Sequence, residues 1–283
     1  MVAANALRSF IIACRAAGQA ARTADTHEQG VTLFFRRFPV PIEGVTKHHV
    51  RLFLSNDRWA QSTRLIRWKG LKAFFDFCVS DGILAASPVE TIPRPKAGKP
   101  RKPPQYTEAD IEDLLRVCTD WTWIGLRDAA IIWMLWLTPA RVSELVGVLE
   151  TDIDWLRERV TFRGKAGVEY QAVLFPRVQR ALDRYIRHRP FESESVFLTE
   201  DGRPMIAHTV QLLLRRLKKR VGMVKPLYAH AFRHGFAMKT LQWGLGLDEC
   251  ARAMGHRSTK ATEIYRGWMA EESALDKIKK VAG

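Results

Sequence analysis

Apolar residues recur at helical spacing in three early segments of the chain, Val31–Phe38, Val50–Leu54 and Leu65–Val79. A repeat of three or four residues places apolar side chains on one face of a helix. Ser62 and Thr63 precede the third segment and belong to the residue types that favour a helix N-cap. The pattern therefore predicts a compact helical bundle, with Ser62 or Thr63 capping its third segment.

Proline and basic residues dominate the segment 93–106, PRPKAGKPRKPPQY, which holds five prolines and five basic residues. Proline fixes φ and lacks a backbone N–H, so this density disfavours helix and strand and favours an extended linker. We therefore divide the chain into a helical domain at 1–92, a linker at 93–106 and a second domain at 107–283. Each domain is long enough to bury a core.

The second domain begins with a helix signal, because Thr107 and Asp110 bound the sequence TEAD in front of an apolar stripe. Later segments are also mainly helical. The exception is 160–174, where two short apolar runs flank a turn at Gly164–Gly167 and predict a β-hairpin. The expected fold class is mainly α with a small β-hairpin or sheet (α+β).

Charge indicates the kind of partner. The 283 residues carry a formal net charge of +15, with a pI near 10.0, and the basic excess is strongest in the first domain and the linker. Such a chain is hard to reconcile with an acidic-surface metabolic enzyme and suits a polyanion partner. Nucleic acid is the first candidate, and an anionic membrane surface is the second.

Candidate DNA contacts lie in the third helical segment and in the linker, which would let the two domains close around a duplex. Basic residues in the helical segment fall among apolar neighbours, so one face can pack while another meets phosphates. The candidates are Arg64, Arg67, Lys69, Lys72, Arg94, Lys96, Lys99, Arg101 and Lys102. The alternatives are an ordinary amphipathic helix and a solvated linker that happens to be basic.

The cysteines and the N-terminus bear on the compartment. The four cysteines are Cys14, Cys78, Cys118 and Cys250. They lack metal-type spacing and are expected to be reduced packing residues. No segment reaches the roughly 18 apolar residues of a membrane span, and Arg8 and Arg15 interrupt the start of the chain. We expect a soluble protein of the bacterial cytoplasm or nucleoid, with no membrane partner.

The segment Ala129–Leu145 predicts an apolar helix followed by a second helix that carries an arginine. Thr138 suits the N-cap and Pro139 the first position of that second helix, which places Arg141 in its first turn. A cation there opposes the helix dipole, so a bound anion would explain its placement. A surface pair between Arg141 and Glu144 explains it equally well.

Two further motifs contain histidine. His230 and Arg233 lie three residues apart, hence on one face of a helix whose Phe232 can serve the core. A buried histidine and a surface arginine are the commoner explanation of one such pair. Farther on, His256 follows a glycine after an apolar helix, and Tyr265 stands nine residues beyond it.

Taken in order, these pieces resemble the tyrosine recombinase (phage integrase) family, as a minimal integrase or a Xer-like protein. The family pattern is an arginine in a T-G-L-R-x-S-E-L-like segment, a hairpin lysine, H-x-x-R, L-G-H, and a tyrosine nine residues after that histidine. The resemblance covers essentially the whole chain and implies a helical core-binding domain before a catalytic domain. It implies a catalytic set of Arg141, Glu144, Lys165, His230, Arg233, His256 and Tyr265. Pro139 and Met254 stand where the family usually has Gly and Leu.

The residue types suit attack on a phosphodiester. Guanidinium groups hold nonbridging oxygens in a bidentate manner, which suits Arg141 and Arg233. His256 is a further donor to the developing charge, and Glu144 is expected to orient the pocket.

Proton transfer completes the expected chemistry. The hydroxyl of Tyr265 is a weak nucleophile until its proton is taken up or its anion is stabilised, and His230 is the candidate to assist. Lys165, at the hairpin turn, can protonate the leaving 5′ oxygen. No carboxylate cluster suited to two metal ions accompanies these residues, so we expect a metal-independent transesterification. We also expect no cofactor, because a phosphotyrosine bond conserves the energy of the broken bond and rejoining then needs no nucleotide.

The expected function is site-specific strand exchange between DNA duplexes, of the kind that integrates or excises a mobile element, through a 3′-phosphotyrosyl intermediate. One alternative is a Xer-like resolvase of chromosome or plasmid dimers. Others are a noncatalytic DNA-binding regulator on the same fold and a nicking and closing enzyme of the type IB topoisomerase kind. The expected partners are double-stranded DNA with specific recombination sites, three further copies in a homotetramer on DNA, and an accessory DNA-bending or directionality protein.

The C-terminal tail predicts one more helix, because Leu275, Ile278 and Val281 recur at helical spacing within Ala270–Val281. They are too few to hold an isolated helix together, so the helix needs a surface to bury against. The resemblance implies docking on a neighbouring protomer; packing on its own domain is the alternative.

Overall fold

A computed structural model of the chain describes residues 3–98, 101–118, 121–164, 167–256 and 258–270. The chain divides into two units, Met1–Arg101 and Lys102–Gly283. Lys99, Lys165 and the tail beyond Ala270 lie outside the described residues, so the predictions for them stay predictions.

The first unit contains four α-helices and a short 3-10 helix (Ile42–Gly44) among its described residues. The α-helices are α1 (Ala3–Ala16), α2 (Ala21–Arg37), α3 (Lys47–Leu54) and α4 (Gln61–Ser80). Helices α2, α3 and α4 contain the three segments with helical spacing, except that Phe38 is the C-cap residue of α2, so these predictions are confirmed. Helix α1 was not predicted, although Ala6, Phe10 and Cys14 follow one another at four-residue spacing and are all buried. Its two arginines obscured this short stripe.

Phenylalanine rings form the centre of the first unit. The ring of Phe34 on α2 meets Phe53 of α3 edge-on, with centroids 5.2 Å apart, and Phe75 of α4 at 6.0 Å. On the other side of α4, Phe74 meets Phe10 of α1 at 5.6 Å. Edge-to-face contacts of this kind stabilise a core beyond the burial of the rings, and here they join all four helices.

Helix α4 has Ala60 as its N-cap residue and no side-chain cap bond. The predicted cap by Ser62 or Thr63 is therefore wrong, because both residues lie inside the first turn. Just before the helix, the ring of Trp59 packs edge-on against Phe53, with centroids 4.9 Å apart. The start of this helix is thus accompanied by packing of this ring and not by a polar side-chain cap.

The second unit combines helices with a small sheet. Its elements are α5 (Glu108–Arg116), α6 (Trp123–Leu137), α7 (Val142–Val146), β1 (Ile153–Asp154), β2 (Arg159–Arg163), β3 (Glu169–Val173), α8 (Pro176–His188), α9 (Ala207–Val221), α10 (Ala229–Gln242), α11 (Leu247–Ala253) and α12 (263–270). Thr107 caps α5 by accepting a hydrogen bond from the Asp110 N–H at 3.2 Å. The predicted start of this helix is confirmed.

The strands form one antiparallel sheet in the order β1-β2-β3, and Phe162 of β2 faces Tyr170 of β3 in the register. The predicted hairpin is confirmed, and β1 adds a short third strand. Val160 and Phe162 alternate inward and are fully buried, as expected of a sheet that covers a core with one face. The fold class, mainly α with a small sheet, is confirmed.

Helix α6 is buried on most of its surface, as an apolar helix at the centre of a unit must be. Its one buried ion pair joins Arg127 to Asp128, with Nη2 and Oδ1 2.9 Å apart, among the contacts of the described residues. Arg216 of α9 also pairs with Asp128. The buried charges are therefore compensated, and the pairing ties α9 to the central helix.

The connection from α6 to α7 differs from the prediction. Thr138 follows the end of α6, and its hydroxyl donates to the Met134 carbonyl at 2.6 Å, so it does not cap the next helix. Pro139 lies outside helix α7, whose N-cap residue is Arg141. Glu144 performs the capping instead, because its Oε2 accepts the Arg141 N–H at 2.8 Å. The bound anion that the position of Arg141 suggested is therefore replaced at this helix end by the carboxylate of Glu144.

The four cysteines are unpaired and buried. Burial raises the pKa of the Cys14 and Cys250 thiols, and it raises that of Cys78 to about 12 with help from nearby carboxylates. Each of these three is a packing residue with little thiolate at neutral pH.

In the described part of the chain, the helices fall short of the combined length and apolarity that a membrane crossing requires.

Candidate active site

Arg233 lies at the centre of the candidate site. It stands on α10 with 2% of its surface exposed. Its Nη1 donates to the Pro139 carbonyl, and its Nη2 donates to the Met254 carbonyl at 2.6 Å. One guanidinium group therefore holds together the loop before α7 and the loop after α11, which carry the other motifs.

The remaining donors of Arg233 define what it can still bind. Nη1 also contacts the Tyr170 hydroxyl at 3.5 Å. These bonds use both N–H groups of Nη1 and one of Nη2, which leaves the Nε–H and the second Nη2–H without a partner among the described residues. Two parallel N–H groups on one edge match the geometry of a phosphate.

Arg141 is the accessible partner of this buried arginine. Its side chain is 40% exposed, and Nη1 donates to Oε1 of Glu144 at 2.6 Å. The expected surface pair exists, but Glu144 itself is buried. The carboxylate thus fixes one edge of the Arg141 guanidinium and leaves the rest open to solvent.

Glu144 is held by three groups. Besides Arg141, it accepts a hydrogen bond from the Tyr170 hydroxyl at 2.6 Å, and its Oε2 lies 3.7 Å from Nη1 of Arg233. Burial alone would raise the pKa of the Glu144 carboxyl, but the bonds from Tyr170 and Arg141 outweigh it and hold the pKa below its ordinary value. Glu144 is therefore ionised at neutral pH and orients both arginines.

Gly255 lies directly against Tyr170. Its φ is +59°, and a Cβ built on it would lie 2.5 Å from Cδ1 of the tyrosine ring. Both the left-handed backbone and the close approach require glycine here. The Gly-His motif is thus explained by packing: the chain turns tightly over the tyrosine and presents His256 next to the arginines.

His256 is a neutral histidine at the edge of this group. Burial, followed by the charges of Arg233 and Arg141, lowers its pKa to about 4. Its Nδ1 lies 2.9 Å from the hydroxyl of Thr262. When that hydroxyl donates, Nε2 carries the proton and can serve as a hydrogen-bond donor.

Tyr265 lies on α12 with 3% of its surface exposed. Its hydroxyl is 2.9 Å from Nδ1 of His234. Burial raises the pKa of this hydroxyl, and the opposing charge of Arg233 does not outweigh that effect. His230, the residue expected to assist Tyr265, is exposed and meets His234 edge-on, with ring centroids 4.3 Å apart. In the described residues the tyrosine is thus bonded to His234 rather than to His230.

Sequence reasoning missed two residues of the site, Tyr170 and His234. Tyr170 was assigned only to a strand, and nothing in its neighbours indicated the contact with Glu144. His234 carried a usable signal, because it stands four residues after His230 and hence on the same helical face.

The candidate DNA contacts differ in exposure. Lys69, Arg94, Lys96, Arg101 and Lys102 are exposed, whereas Arg64, Arg67 and Lys72 are half-buried. Arg64 donates to the Asn56 carbonyl at 3.1 Å, and Lys72 pairs with Asp76 at 2.7 Å. Lys99 lies outside the described residues.

The hairpin turn that contains Lys165 begins at the site. A Cβ on Gly164, the last described residue before it, would lie 3.2 Å from Oε1 of Glu144. Across the described ranges, no cluster of three or more His, Cys, Asp or Glu side chains could hold a metal ion.

Comparisons with known proteins show the family of the chain. The sequence model of the phage integrase family matches residues 105–271. Tyrosine recombinase XerC of Herpetosiphon aurantiacus is 30% identical over 221 residues, which cover 76% of this chain and 72% of that protein. Tyrosine recombinase XerC of Bacillus licheniformis is 28% identical over 254 residues, which cover 84% and 79%.

Solved structures share the fold at low identity. XerH recombinase bound to its palindromic difH substrate, in a post-cleavage complex, has a TM-score of 0.75 at 16% identity, covering 91% of this chain and 80% of that one. A lambda integrase dimer bound to a COC′ core site has a TM-score of 0.74 at 16% identity, covering 93% and 94%. The chain belongs to the phage integrase family and is a Xer-like site-specific tyrosine recombinase, an enzyme that cleaves and rejoins DNA.

Proposed function

We propose that Tyr265 is the nucleophile of this recombinase. Its hydroxyl oxygen attacks a DNA phosphorus, a 3′-phosphotyrosyl bond forms, and the bond to the 5′ oxygen breaks. A 5′-hydroxyl from a second duplex then reverses the step and exchanges the strands. No ATP is needed, because the phosphotyrosyl bond conserves the energy of the phosphodiester. The guanidinium groups supply the positive charge, so the proposed chemistry uses no metal ion.

One observation carries this proposal: the adjacent residues Arg233 and His234 link the loops of the site to the Tyr265 hydroxyl. Arg233 holds the loops that lead to Arg141 and to His256, and His234 contacts the Tyr265 hydroxyl. This two-residue segment of α10 supports a position for the proposed nucleophile close to the two arginines. Proximity of this kind is a main source of rate acceleration.

The proposed roles follow from exposure and free donors. Arg141 binds one nonbridging oxygen from the accessible side, and the free edge of Arg233 binds the other. His256 donates through Nε2 to the charge that develops on the phosphoryl group. Glu144 touches no DNA and acts as a positioning residue for both arginines.

The proposed proton donor to the leaving 5′ oxygen is Lys165. Its own placement lies outside the described residues. Support comes from Gly164, the preceding residue, which lies against Glu144 at the edge of the site. His230 is proposed to line the same pocket from α10, because it packs edge-on against His234.

Double-stranded DNA with specific recombination sites is the proposed substrate. The net charge of +15 supports a polyanion partner, as do relatives solved on DNA such as XerH with difH. We place phosphate contacts at the exposed Lys69 and along the linker residues Arg94, Lys96, Lys99, Arg101 and Lys102. Arg64, Arg67 and Lys72 are weaker candidates, because they are half-buried.

Assembly as a homotetramer on DNA is part of the proposal, supported by a lambda integrase tetramer solved on a Holliday junction. An accessory DNA-bending or directionality protein and action in the bacterial cytoplasm are proposed with it. Resolution of chromosome or plasmid dimers is a second candidate role, favoured by the identity to XerC proteins.

The test is Tyr265→Phe, which removes only the hydroxyl. The wild type is incubated with genomic fragments of its host, the covalent complexes are recovered, and the attached DNA is sequenced to obtain the site. On that site the variant should bind as tightly as the wild type and form no covalent adduct. Tyr228→Phe, at an exposed tyrosine, is the matched control and should form the adduct normally.

A protease-sensitive adduct with Tyr265→Phe would refute the nucleophile assignment. Transfer of a labelled strand between two duplexes separates recombination from nicking and closing of one duplex.

A further inference from the structure

The hydroxyl of Tyr265 has a specific partner that the mechanism above does not use. His234 Nδ1 lies 2.9 Å from it, and the two rings meet edge-on with centroids 5.4 Å apart. Trp268 closes the pair from α12, 5.7 Å from each ring. The imidazole is thus held against the oxygen that is to attack phosphorus.

His234 is neutral in this environment. Burial is the largest cause, and the nearby His230, Arg233 and His256 act in the same direction, so the pKa of His234 is lowered to about 4. A neutral imidazole has one nitrogen with a free lone pair. With the Tyr265 hydroxyl donating to Nδ1, the proton of the ring resides on Nε2.

We propose that His234 is a catalytic residue that accepts the proton of Tyr265 as the tyrosine attacks the DNA phosphorus. This inference rests on the proposed role of Tyr265 as the nucleophile. The bond between Oη and phosphorus forms while the bond from phosphorus to the 5′ oxygen breaks. The phenolic proton moves to Nδ1, and Lys165 protonates the leaving oxygen. In the reverse step His234 returns its proton to Oη.

Concerted transfer removes the difficulty posed by so weak a base. A buried phenol does not give up its proton to such an imidazole before the reaction, but its oxygen loses basicity as the bond to phosphorus forms. The entering phosphodiester also brings negative charge next to Arg141 and Arg233. That charge offsets the two cations and makes a protonated His234 less unfavourable during the step.

The position of His234 favours it over His230. Both lie on one face of α10, but His230 is exposed, and among the described residues its contact is with the ring of His234. Among the described residues His230 therefore reaches the Tyr265 hydroxyl through His234, while its exposed ring exchanges protons with solvent.

The main test is His234→Asn, because the asparagine amide can occupy the Nδ1 position but cannot take up a proton. Covalent adduct formation is measured in single turnover from pH 5.5 to 9.5. The probe is the recovered site, nicked near the cleavage position so that cleavage is trapped. We expect a loss on the order of 100-fold at pH 7. The rate of the variant should keep rising with pH where that of the wild type is level.

A second variant gives a positive readout. His234→Ala leaves space where the ring was, and added imidazole should restore adduct formation in proportion to its concentration. His208→Asn, at an exposed histidine of α9, is the matched control and should behave as the wild type, without response to imidazole.

Three outcomes overturn the inference. If His234→Asn forms the adduct at a rate within twofold of the wild type, His234 contacts Tyr265 but does not accept its proton. A faster rate would make it a restraint on Tyr265. A slow His234→Ala variant that folds and binds DNA but ignores imidazole would make it structural. An adduct formed by Tyr265→Phe would instead refute the role of Tyr265 as the nucleophile. Failure of the His234 inference and failure of the proposed function are therefore distinguishable.

Discussion

The Tyr170 hydroxyl donates a hydrogen bond of 2.6 Å to Oε2 of Glu144, across a separation of 26 residues in the chain. The bond joins strand β3 to the start of α7. It places a neutral donor beside a buried carboxylate that also serves Arg141 and Arg233. Several consequences can be measured.

Tyr170→Phe should slow adduct formation and lower the free energy of unfolding by roughly 1–3 kcal/mol, because Glu144 keeps its charge but loses a buried donor. Urea unfolding and single-turnover cleavage measure the two effects. Tyr185→Phe is the matched control, since it removes a buried hydroxyl that accepts the Leu198 N–H at 3.1 Å. It should cost similar stability and leave cleavage by the folded enzyme unchanged; equal cleavage defects would contradict the role of Tyr170.

Gly255→Ala should destabilise the protein by more than the backbone strain alone. An alanine at positive φ costs about 1–2 kcal/mol, and here its Cβ would also meet the Tyr170 ring at 2.5 Å. Gly222→Ala provides the comparison, because Gly222 has φ +70° and nothing within 4 Å of its Cβ position. The difference between their unfolding free energies isolates the contact with Tyr170. Equal values would mean that the turn can shift without cost.

The two arginines should respond differently to replacement by lysine. Arg141→Lys should impair cleavage strongly while stability stays near the wild-type value, because its guanidinium is half-exposed. Arg233→Lys should lose both cleavage activity and stability, since an ammonium cannot hold the Pro139 and Met254 carbonyls together in the same geometry. Thermal unfolding and adduct formation check both variants. A stable Arg233→Lys enzyme would show that the loops do not depend on it.

Acid should destabilise the folded protein through His234 and His256. Their pKa values lie near 4 in the folded state, against about 6.5 in an unfolded chain. The unfolded state therefore binds protons first, and stability that is fully present above pH 6.5 is lost as the pH falls towards 4. The loss should be roughly 1–3 kcal/mol per histidine, after allowance for their partial exposure.

Urea midpoints measured between pH 7.5 and 4.5 test this dependence. The double variant His234→Gln with His256→Gln should show a flatter profile than the wild type. His208→Gln, at an exposed histidine, should reproduce the wild-type profile. An unchanged slope in the double variant would mean that these histidines are not the groups that titrate.

Neutral replacement of Arg94, Lys96, Lys99, Arg101 and Lys102 should weaken DNA binding and flatten its salt dependence. Each lost phosphate contact reduces the log-log slope by about 0.9. The control replaces Arg157, Arg187 and Arg203, which are exposed but paired with Asp154, Asp183 and Asp201. If the salt-dependence slope changes no more per removed charge in the linker variant than in this control, the linker residues do not contact phosphates.

Local patterns predicted the elements of the fold, because apolar spacing and turn residues act within a few positions. The β2–β3 hairpin and the Thr107 cap follow from such signals. The start of α4 did not, because Ala60 is its N-cap residue and provides no polar side chain that a sequence pattern could reveal. The same limit applied at Thr138, whose hydroxyl bonds back to Met134.

The candidate site was partly predictable for the same reason. Motif order selected Arg141, Arg233 and Tyr265, but their neighbours depend on distant segments. Tyr170 reaches Glu144 only because the strand register and the turn at Gly255 bring it there. Contacts of this kind become visible only once the chain is folded.

The buried cysteines make this enzyme convenient for site-selective labelling. All four native thiols are at most 4% exposed. Maleimide reagents should leave the folded wild type largely unmodified and react with a single cysteine introduced on its surface. Fluorophores could then be attached at chosen positions, and the opening and closing of a DNA complex followed in single molecules, without first replacing any residue of the core.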